Sequence, residues 1–502
     1  MNLHISRVSG THIRLHAEPW MLQMVSDALT FEVPGARHMP TFKNKVWDGK
    51  IRLLDQRTNT VPTGLLPRIL SQATHEGWDV EAEEGVWRPA RAQISDEDFN
   101  QFLDDIGLPE IFRSEFEGKY AYQVKAVKKA VQFGRRLILS PTGTGKSLII
   151  YLTIMYHRWA GLAERSVVVS ISTNLVRQMA SDFVEYGCNP DDIHMIYQGQ
   201  DKLADKPIVI TTWQSMMHQS PQWPRRFDLL VADEAHTYKS KVTGDLVSRT
   251  VNANYRFGFT GTLDGTETHL WMLEGVFGPV FQATTTKKAI EDDVLAPVKV
   301  IINTIQYPER DRVLAAKFAT KDYDKEKTFI AAHANRRRAV CKYVLDLPSN
   351  DNVLLLFKTK NKAAKVYFEL LQQMAPDRDI YYVTGDVDTE EREVIRKQIE
   401  RVEGAIIVAT YKVFSTGINI KRLNHLVPVE GVKSLITLLQ SIGRILRKDG
   451  RQAVVHDLVD DLRETVDGKP NFAYRHGIER IDIYDEQGFP YEFARITVSE
   501  ST

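Results

Sequence analysis

Residues 135–159 read RRLILSPTGTGKSLIIYLTIMYHRW. A short apolar run ends in a loop rich in glycine and threonine, and a long apolar helical segment follows at once. Strand, glycine-rich loop and helix, in that order, are the context that a phosphate-binding loop requires. Gly143 and Gly145, interleaved with Thr142 and Thr144, let backbone N–H groups close on phosphate oxygens. They do so at a helix N-terminus, where negative charge is favoured. Lys146 is placed to reach the β- and γ-phosphates of ATP, and Ser147 to ligate Mg²⁺. Ser140 stands where such loops usually carry their first glycine. An ordinary strand–helix turn would have no use for the Lys-Ser pair.

The apolar strand FDLLVADE, residues 227–234, runs into Asp233-Glu234-Ala235-His236. A strand ending in Asp-Glu puts Asp233 on the Mg²⁺ and Glu234 where it can orient or deprotonate the attacking water. Taken alone, such a pair is a solvated strand end. Downstream of the loop at 140–147 it completes a hydrolytic site.

From about Tyr120, short apolar strands alternate with helical segments: RRLILS, SVVVSIS, PIVITT, FDLLVADE and RFGFTGT. A second series begins near Pro297 with VKVIINTI, NVLLLFK, IYYVTG, AIIVAT, HLVPVE and AVVHDLV. This alternation predicts α/β architecture, with two mostly parallel sheets wrapped by helices, over residues 96–292 and 293–460. Residues 461–502 read as a short extension, a helix and a terminal strand YEFARITV. Residues 1–95 read as a small α+β domain. Ile5, Ile13, Leu15 and Ala17 alternate around Ser9-Gly10 as a β-hairpin, and a helix follows from about Pro19. VWDGKIRLLD, residues 46–55, predicts a second hairpin turning at Asp48-Gly49. On it Lys50 and Arg52 share one face, with Ile51 and Leu53 on the other.

The 502 residues carry 65 basic and 65 acidic side chains, so no global field attracts nucleic acid and any such path must be local. Lys43, Lys45, Lys50 and Arg52 around Trp47 form one local patch. They suit a duplex backbone, with Trp47 stacking on an unpaired base; the alternative is a core tryptophan with solvated lysines. No apolar run approaches the ~20 residues of a membrane span, and the N-terminus has no secretory apolar region. Two cysteines, Cys188 and Cys341, fit a reducing compartment and are too few for a cysteine-rich metal site. The expectation is a cytoplasmic protein without a membrane partner.

Gln440, Arg444 and Arg447 in QSIGRILR fall at i, i+4 and i+7, hence on one helical face, where two guanidinium groups can meet γ-phosphate oxygens. With the loop at 140–147, Asp233-Glu234-Ala235-His236, Thr260-Gly261-Thr262 and this helix, the chain resembles the DEAD/DEAH-type superfamily 2 helicases. That resemblance implies two RecA-like domains in tandem and ATP with Mg²⁺. It also implies an adenine-reading role for Tyr122-Gln123 and coupling of ATP state to domain movement at Thr260–Thr262. ATYKVFSTGIN, residues 409–419, resembles the family's motif V. It implies nucleotide contacts at Gly417 and Asn419, where many relatives carry Asp in place of Asn419. Nucleic-acid contacts are implied there at Thr410 and Thr416. Lys358-Thr359 and Thr384-Gly385, with Thr173, Arg177, Thr212 and Gln214, sit at strand ends and read as phosphate contacts along one strand. Each taken singly is equally an ordinary loop residue.

The order of the small N-terminal unit with FKNKVWDGKIRLLD, the motor, FSTGINI and QSIGRILRK closely resembles phage UvsW-type recombination and repair helicases. That resemblance implies a DNA helicase or translocase acting on branched DNA, by branch migration, fork regression and R-loop or D-loop unwinding. It further implies DNA as partner, RNA in R-loops, other recombination and replication proteins, and the host cytoplasm as location. An RNA helicase, an ATP-switched annealing protein and the motor subunit of a restriction complex remain the alternatives.

Overall fold

The computed structural model describes the chain apart from residues 87–93, 198–204, 240–243, 245–246, 264, 359–361, 386–388, 400, 412, 414–422, 432–437, 440, 444–451, 466 and 501–502. It divides into two compact units, Met1–Pro141 with Gly145–Thr284, and Thr285–Thr502 with Thr142–Thr144. The boundary falls at 284/285, close to the expected 292/293.

The first unit opens with β1 (Asn2–Arg7) and β2 (His12–His16), an antiparallel hairpin as the alternation predicts. With β5 (Thr60–Pro62) and β6 (Asp79–Ala82) they form a sheet in the order β5-β2-β1-β6. Leu3, Ile5, Ile13 and Leu15 pack its inner face on Met21 and Val25 of helix Pro19–Ala28 and on Ile69 of helix Leu66–His75. The expected second hairpin is a correction. β4 (Lys50–Arg52) pairs instead with β3 (Thr30–Glu32), Phe31 opposite Ile51. Lys45 takes a positive φ of 56°, and the amides of Val46 and Trp47 turn back to the Thr41 carbonyl at 3.0 and 3.2 Å. The segment before Asp48 therefore has no ladder to offer, and a strand some twenty residues upstream supplies it.

This N-terminal sheet is not a free-standing domain. Gly10 N donates to Val251 O at 2.7 Å, Arg135 donates to Gly10 O, and Arg68 pairs with Glu274 at 2.7 Å. Phe31 meets Trp271 edge to face at 5.7 Å.

Seven parallel strands form the rest of the unit: β7 (Arg135–Leu139), β8 (Ser166–Ser170), β9 (Ile193–Ile196), β10 (Ile208–Thr212), β11 (Leu229–Asp233), β12 (Tyr255–Thr260) and β13 (Val280–Gln282). Their order is β13-β7-β12-β11-β8-β10-β9. β8, β10, β11 and β12 are buried along their whole length, the reason they read as unbroken apolar runs. Successive residues serve opposite faces. Val168, Ile210 and Val231 join one core, while Val167, Val209 and Leu230 join the other.

The second unit repeats the design with β14 (Val298–Gln306), β15 (Val353–Phe357), β16 (Ile380–Val383), β17 (Ile406–Thr410), β18 (His425–Pro428), β19 (Ala453–Asp461) and β20 (Tyr491–Thr497). The parallel order is β16-β17-β15-β18-β19-β14-β20. Residues 461–502, expected as an appended extension, are part of this unit. β20 is its edge strand, paired with β14, and helix Phe472–Gln487 packs on β19. Both cysteines are buried and unbridged. Among the described residues no helix is long and apolar enough to cross a membrane.

Candidate active site

β7, β12 and β11 are neighbours, and register aligns their carboxyl ends. Leu139 lies opposite Thr260, and Phe259 opposite Asp233. The loop at 140–147, the Thr260–Thr262 turn and Asp233-Glu234 therefore open at one edge of the sheet, where α/β proteins place ligands. Ser140 N donates to Thr260 O at 3.0 Å and ties the first two together.

Gly143 and Gly145 have φ of 87° and 77°, and Gly145 is the N-cap of helix Lys146–Trp159. A Cβ at Gly145 would also run into Nε2 of Gln123, so backbone conformation and close approach both demand glycine there. Gln123 is buried in the first turn of helix Ala121–Phe133, beside the loop, and Tyr122 is half-buried next to Tyr120. Lys146 Nζ donates to the carbonyls of Ser140 at 3.1 Å and Pro141 at 3.4 Å, which holds the ammonium over the loop. Ser147 Oγ lies 2.8 Å from the hydroxyl of Tyr186.

Asp233 is buried. Burial first, then the neighbouring Glu234 carboxylate, push its pKa up to about 7, against the pull of Lys146. A carboxylate held so far above its ordinary range favours the arrival of a cation. Among the described residues no group of three or more His, Cys, Asp or Glu could hold a metal ion.

Glu234 has a positive φ of 50°, a costly conformation for a non-glycine residue, and its amide donates to Asp233 Oδ1 at 3.0 Å. The turn directs its carboxylate toward His236, whose Nδ1 lies 3.4 Å from Glu234 Oε2 and 2.8 Å from Thr260 Oγ1. Thr260 Oγ1 in turn donates to Thr262 O at 3.0 Å. A continuous polar chain thus runs from Glu234 through His236 to Thr260, whose own carbonyl receives Ser140 N.

Other expected residues are distributed less simply. Thr173 begins helix Thr173–Glu185, and Arg177 is exposed on it, its guanidinium 5.1 Å from the Tyr197 ring. Gln214 is exposed, but Thr212 is a correction as a surface contact. It is 5% exposed and caps helix Trp213–Met217, accepting from Ser215 N at 3.2 Å. Thr384 and Thr410 are likewise buried, because their side chains turn into the sheet's packed layers at the ends of β16 and β17. Lys358 is half-buried and Gly385 exposed at the same edge. Thr359, Thr416, Gly417, Asn419, Gln440, Arg444 and Arg447 lie outside the described residues. Arg52 pairs with Asp48 at 2.6 Å, while Lys50 is exposed and Trp47 half-buried with Nε1 on Lys50 O at 2.8 Å. The sequence carried no signal for Tyr186, which stands 39 residues from Ser147 and meets it only through folding.

Three family models match the chain: "DNA helicase UvsW, N-terminal" over residues 2–83, "Type III restriction enzyme, res subunit" over 118–265, and "Helicase conserved C-terminal domain" over 335–449. The ATP-dependent DNA helicase uvsW of Enterobacteria phage T4 is 31% identical over 98% of this chain and 99% of its own length. The DNA 3'-5' translocase XPB2 of Sulfurisphaera tokodaii is 23% identical over 67% of this chain and 80% of its own. The crystal structure of T4 UvsW covers 99% of this chain and all of its own, with TM-score 0.50 and 28% identity. A phosphate loop, an Asp-Glu strand end and two parallel seven-stranded sheets, matched from end to end at that identity, place this chain in the UvsW family of superfamily 2 ATP-dependent DNA helicases.

Proposed function

We propose that the chain is an ATP- and Mg²⁺-driven motor for branched DNA, one that migrates junctions, regresses forks and unwinds R-loops or D-loops in phage recombination, repair and replication, with annealing as the reverse reaction. The observation that carries this reading is a second basic surface joined to the motor. Lys43, Lys45 and Lys50 are exposed around Trp47 on the N-terminal module, while Arg52 is neutralised by Asp48. The contacts of Gly10, Arg68 and Phe31 bind that module to the first parallel sheet. A motor on a simple strand needs only one nucleic-acid track. A basic module that rides with it can hold a duplex arm while the strand is pulled, and backbone contacts of this kind read shape rather than sequence.

In this scheme Ser147 and Asp233 hold the Mg²⁺ of the nucleotide, Lys146 follows its phosphates, and Glu234 orients the attacking water. Arg177, Gln214, Lys358 and Gly385 touch the strand's backbone. RNA is the second strand of the R-loop substrates, and other recombination and replication proteins share the same junctions.

The test is a panel of forked, Holliday, R-loop and plain duplex substrates at one salt concentration, with wild type and the triple variant Lys43→Glu/Lys45→Glu/Lys50→Glu. Wild type should unwind the branched substrates much faster than blunt duplex. The variant should bind duplex arms more weakly, with a salt slope reduced by about 2–3. Its ATPase stimulated by single strands should survive. Equal rates on branched and plain duplex, or an unchanged salt slope in the folded variant, refute the branched-DNA reading.

A further inference from the structure

At the carboxyl edge of the second sheet, beside Lys358, lies a pocket that opens to solvent. Phe357 and Leu458 give it an apolar lining. Tyr323 and Lys327, one turn apart on helix Tyr323–Ala332, line it together with His476 of helix Phe472–Gln487. Tyr323 keeps 39% of its surface exposed. Edge-to-face contacts with Phe472 at 5.6 Å and His476 at 5.8 Å set its ring orientation.

The charges around the cavity are unevenly paired. Arg336 is held by both oxygens of Asp460 at 2.6 and 2.8 Å, and Arg480 by both oxygens of Asp457 at 2.7 Å each. Glu326 is occupied too. It accepts from Asn471 Nδ2, Phe472 N and Ala473 N at 2.9, 2.9 and 2.7 Å, and so caps helix Phe472–Gln487. Lys327 and Lys358 are left facing Glu430, one Oε of which is taken by the Lys358 amide at 2.8 Å. Burial, then the nearby Lys327 ammonium, hold the Lys358 pKa below its ordinary value. Glu326 and Glu430 balance the two lysines in net charge, but among the described residues neither lysine ammonium has a carboxylate within ion-pair distance, so both stand open to an anion beside an aromatic ring and an apolar lining. Phosphate answers the first feature and a nucleobase the other two.

We infer that this cavity receives one unstacked nucleotide of the DNA strand, its phosphate on Lys327 and Lys358 and its base against Tyr323. The inference rests on the reading of Lys358 and Gly385 as part of a nucleic-acid track. A free mononucleotide shares this chemistry. A strand is favoured because Lys358 and Gly385 lie at the ends of β15 and β16 on one sheet edge, so a chain crossing that edge reaches the cavity.

The experiment uses the full-length protein and forked DNA with 5-iododeoxyuridine at each unpaired position in turn, followed by photocross-linking and peptide mapping. A cross-link on the peptide containing Tyr323 is expected, from one or a few positions. Tyr323→Leu should abolish it and Tyr323→Phe retain it, a distinction that loss of folding would not produce. Fork affinity should fall about five-fold or more in Tyr323→Leu, and also in Lys327→Ala. Cross-links confined to other peptides, with unchanged affinity in both variants, overturn the pocket. If Lys358→Ala weakens DNA binding in that case, the track survives without the pocket; if it does not, the track falls as well. Millimolar thymidine monophosphate that removes the Tyr323 cross-link without weakening fork binding assigns the cavity to free nucleotide and overturns its assignment to the strand.

Discussion

Single side chains carry the hydrolytic chemistry, and each has a separable consequence. Lys146 bridges the loop carbonyls of Ser140 and Pro141 with an ammonium that no other residue of the loop can replace. Lys146→Ala should therefore cost more than ten-fold in ATP turnover, above ~1.4 kcal/mol of barrier, in a steady-state phosphate-release assay. Glu234→Gln keeps the shape of the turn but removes the carboxylate proposed to orient the attacking water. Turnover should collapse while a fluorescent ATP analogue still binds with near wild-type affinity. A variant that hydrolyses ATP normally would displace Glu234 from its assigned role. Both residues stand out in the sequence, because a Lys-Ser pair after Gly-Thr-Gly and an Asp-Glu strand end have few structural uses. Tyr186 does not. Its hydroxyl reaches Ser147 from the end of another helix, and no local pattern marks a tyrosine for that place.

At the level of elements, periodicity predicted the strands and the first hairpin but missed the partner of Lys50–Arg52. The runs at 166–170, 229–233 and 353–357 are buried on both faces, so they announce themselves as apolar blocks. Lys50–Arg52 is a three-residue strand whose partner was set by where the preceding turn sent its amides. Spacing alone supports one further expectation. At i, i+4 and i+7, Gln440, Arg444 and Arg447 would share one face of a helix, where two guanidiniums suit a γ-phosphate. Arg444→Ala or Arg447→Ala should cut DNA-stimulated ATPase by orders of magnitude, with nucleotide affinity little changed. Stopped-flow binding set beside turnover separates the two effects. Wild-type turnover in both variants would return the helix to the solvent-exposed surface.

For the second unit as a whole, stability should carry a histidine signature. His425 and His456 face each other at 2.9 Å between β18 and β19, and His456 Nδ1 lies 2.7 Å from the Tyr343 hydroxyl. Asp351 accepts from the outer ring at 3.1 Å. Burial, then the neighbouring His425, lower the His456 pKa from 6.5 to about 3. The folded state thus refuses a proton that the unfolded state takes up below pH 6.5. Stability is fully present above that value and is lost as pH falls toward 3. Between pH 6.5 and 5 the loss from this residue reaches at most ~2 kcal/mol. Urea unfolding of wild type and His456→Asn at pH 7 and pH 5 checks it: the variant should show the shallower acid decline, and parallel declines would exclude His456 as the cause.

Local chemistry was enough to specify two nucleotide-motor sheets, the phosphate loop, the Asp-Glu end and an α+β leader, because strand burial, glycine conformation and helix spacing are written in neighbouring residues. Long-range packing settled the rest. It joined the leader to the first sheet through Gly10 and Arg135, and it drew residues 491–497 in as an edge strand beside β14. It also turned Thr212, Thr384 and Thr410 inward. It paired Arg336 with Asp460 across 124 residues and so left Lys327 and Lys358 as the unpaired cations of that cavity among the described residues. Such choices depend on which surfaces meet after chain closure, where burial of apolar area and the pairing of every buried polar group select among many locally equivalent options.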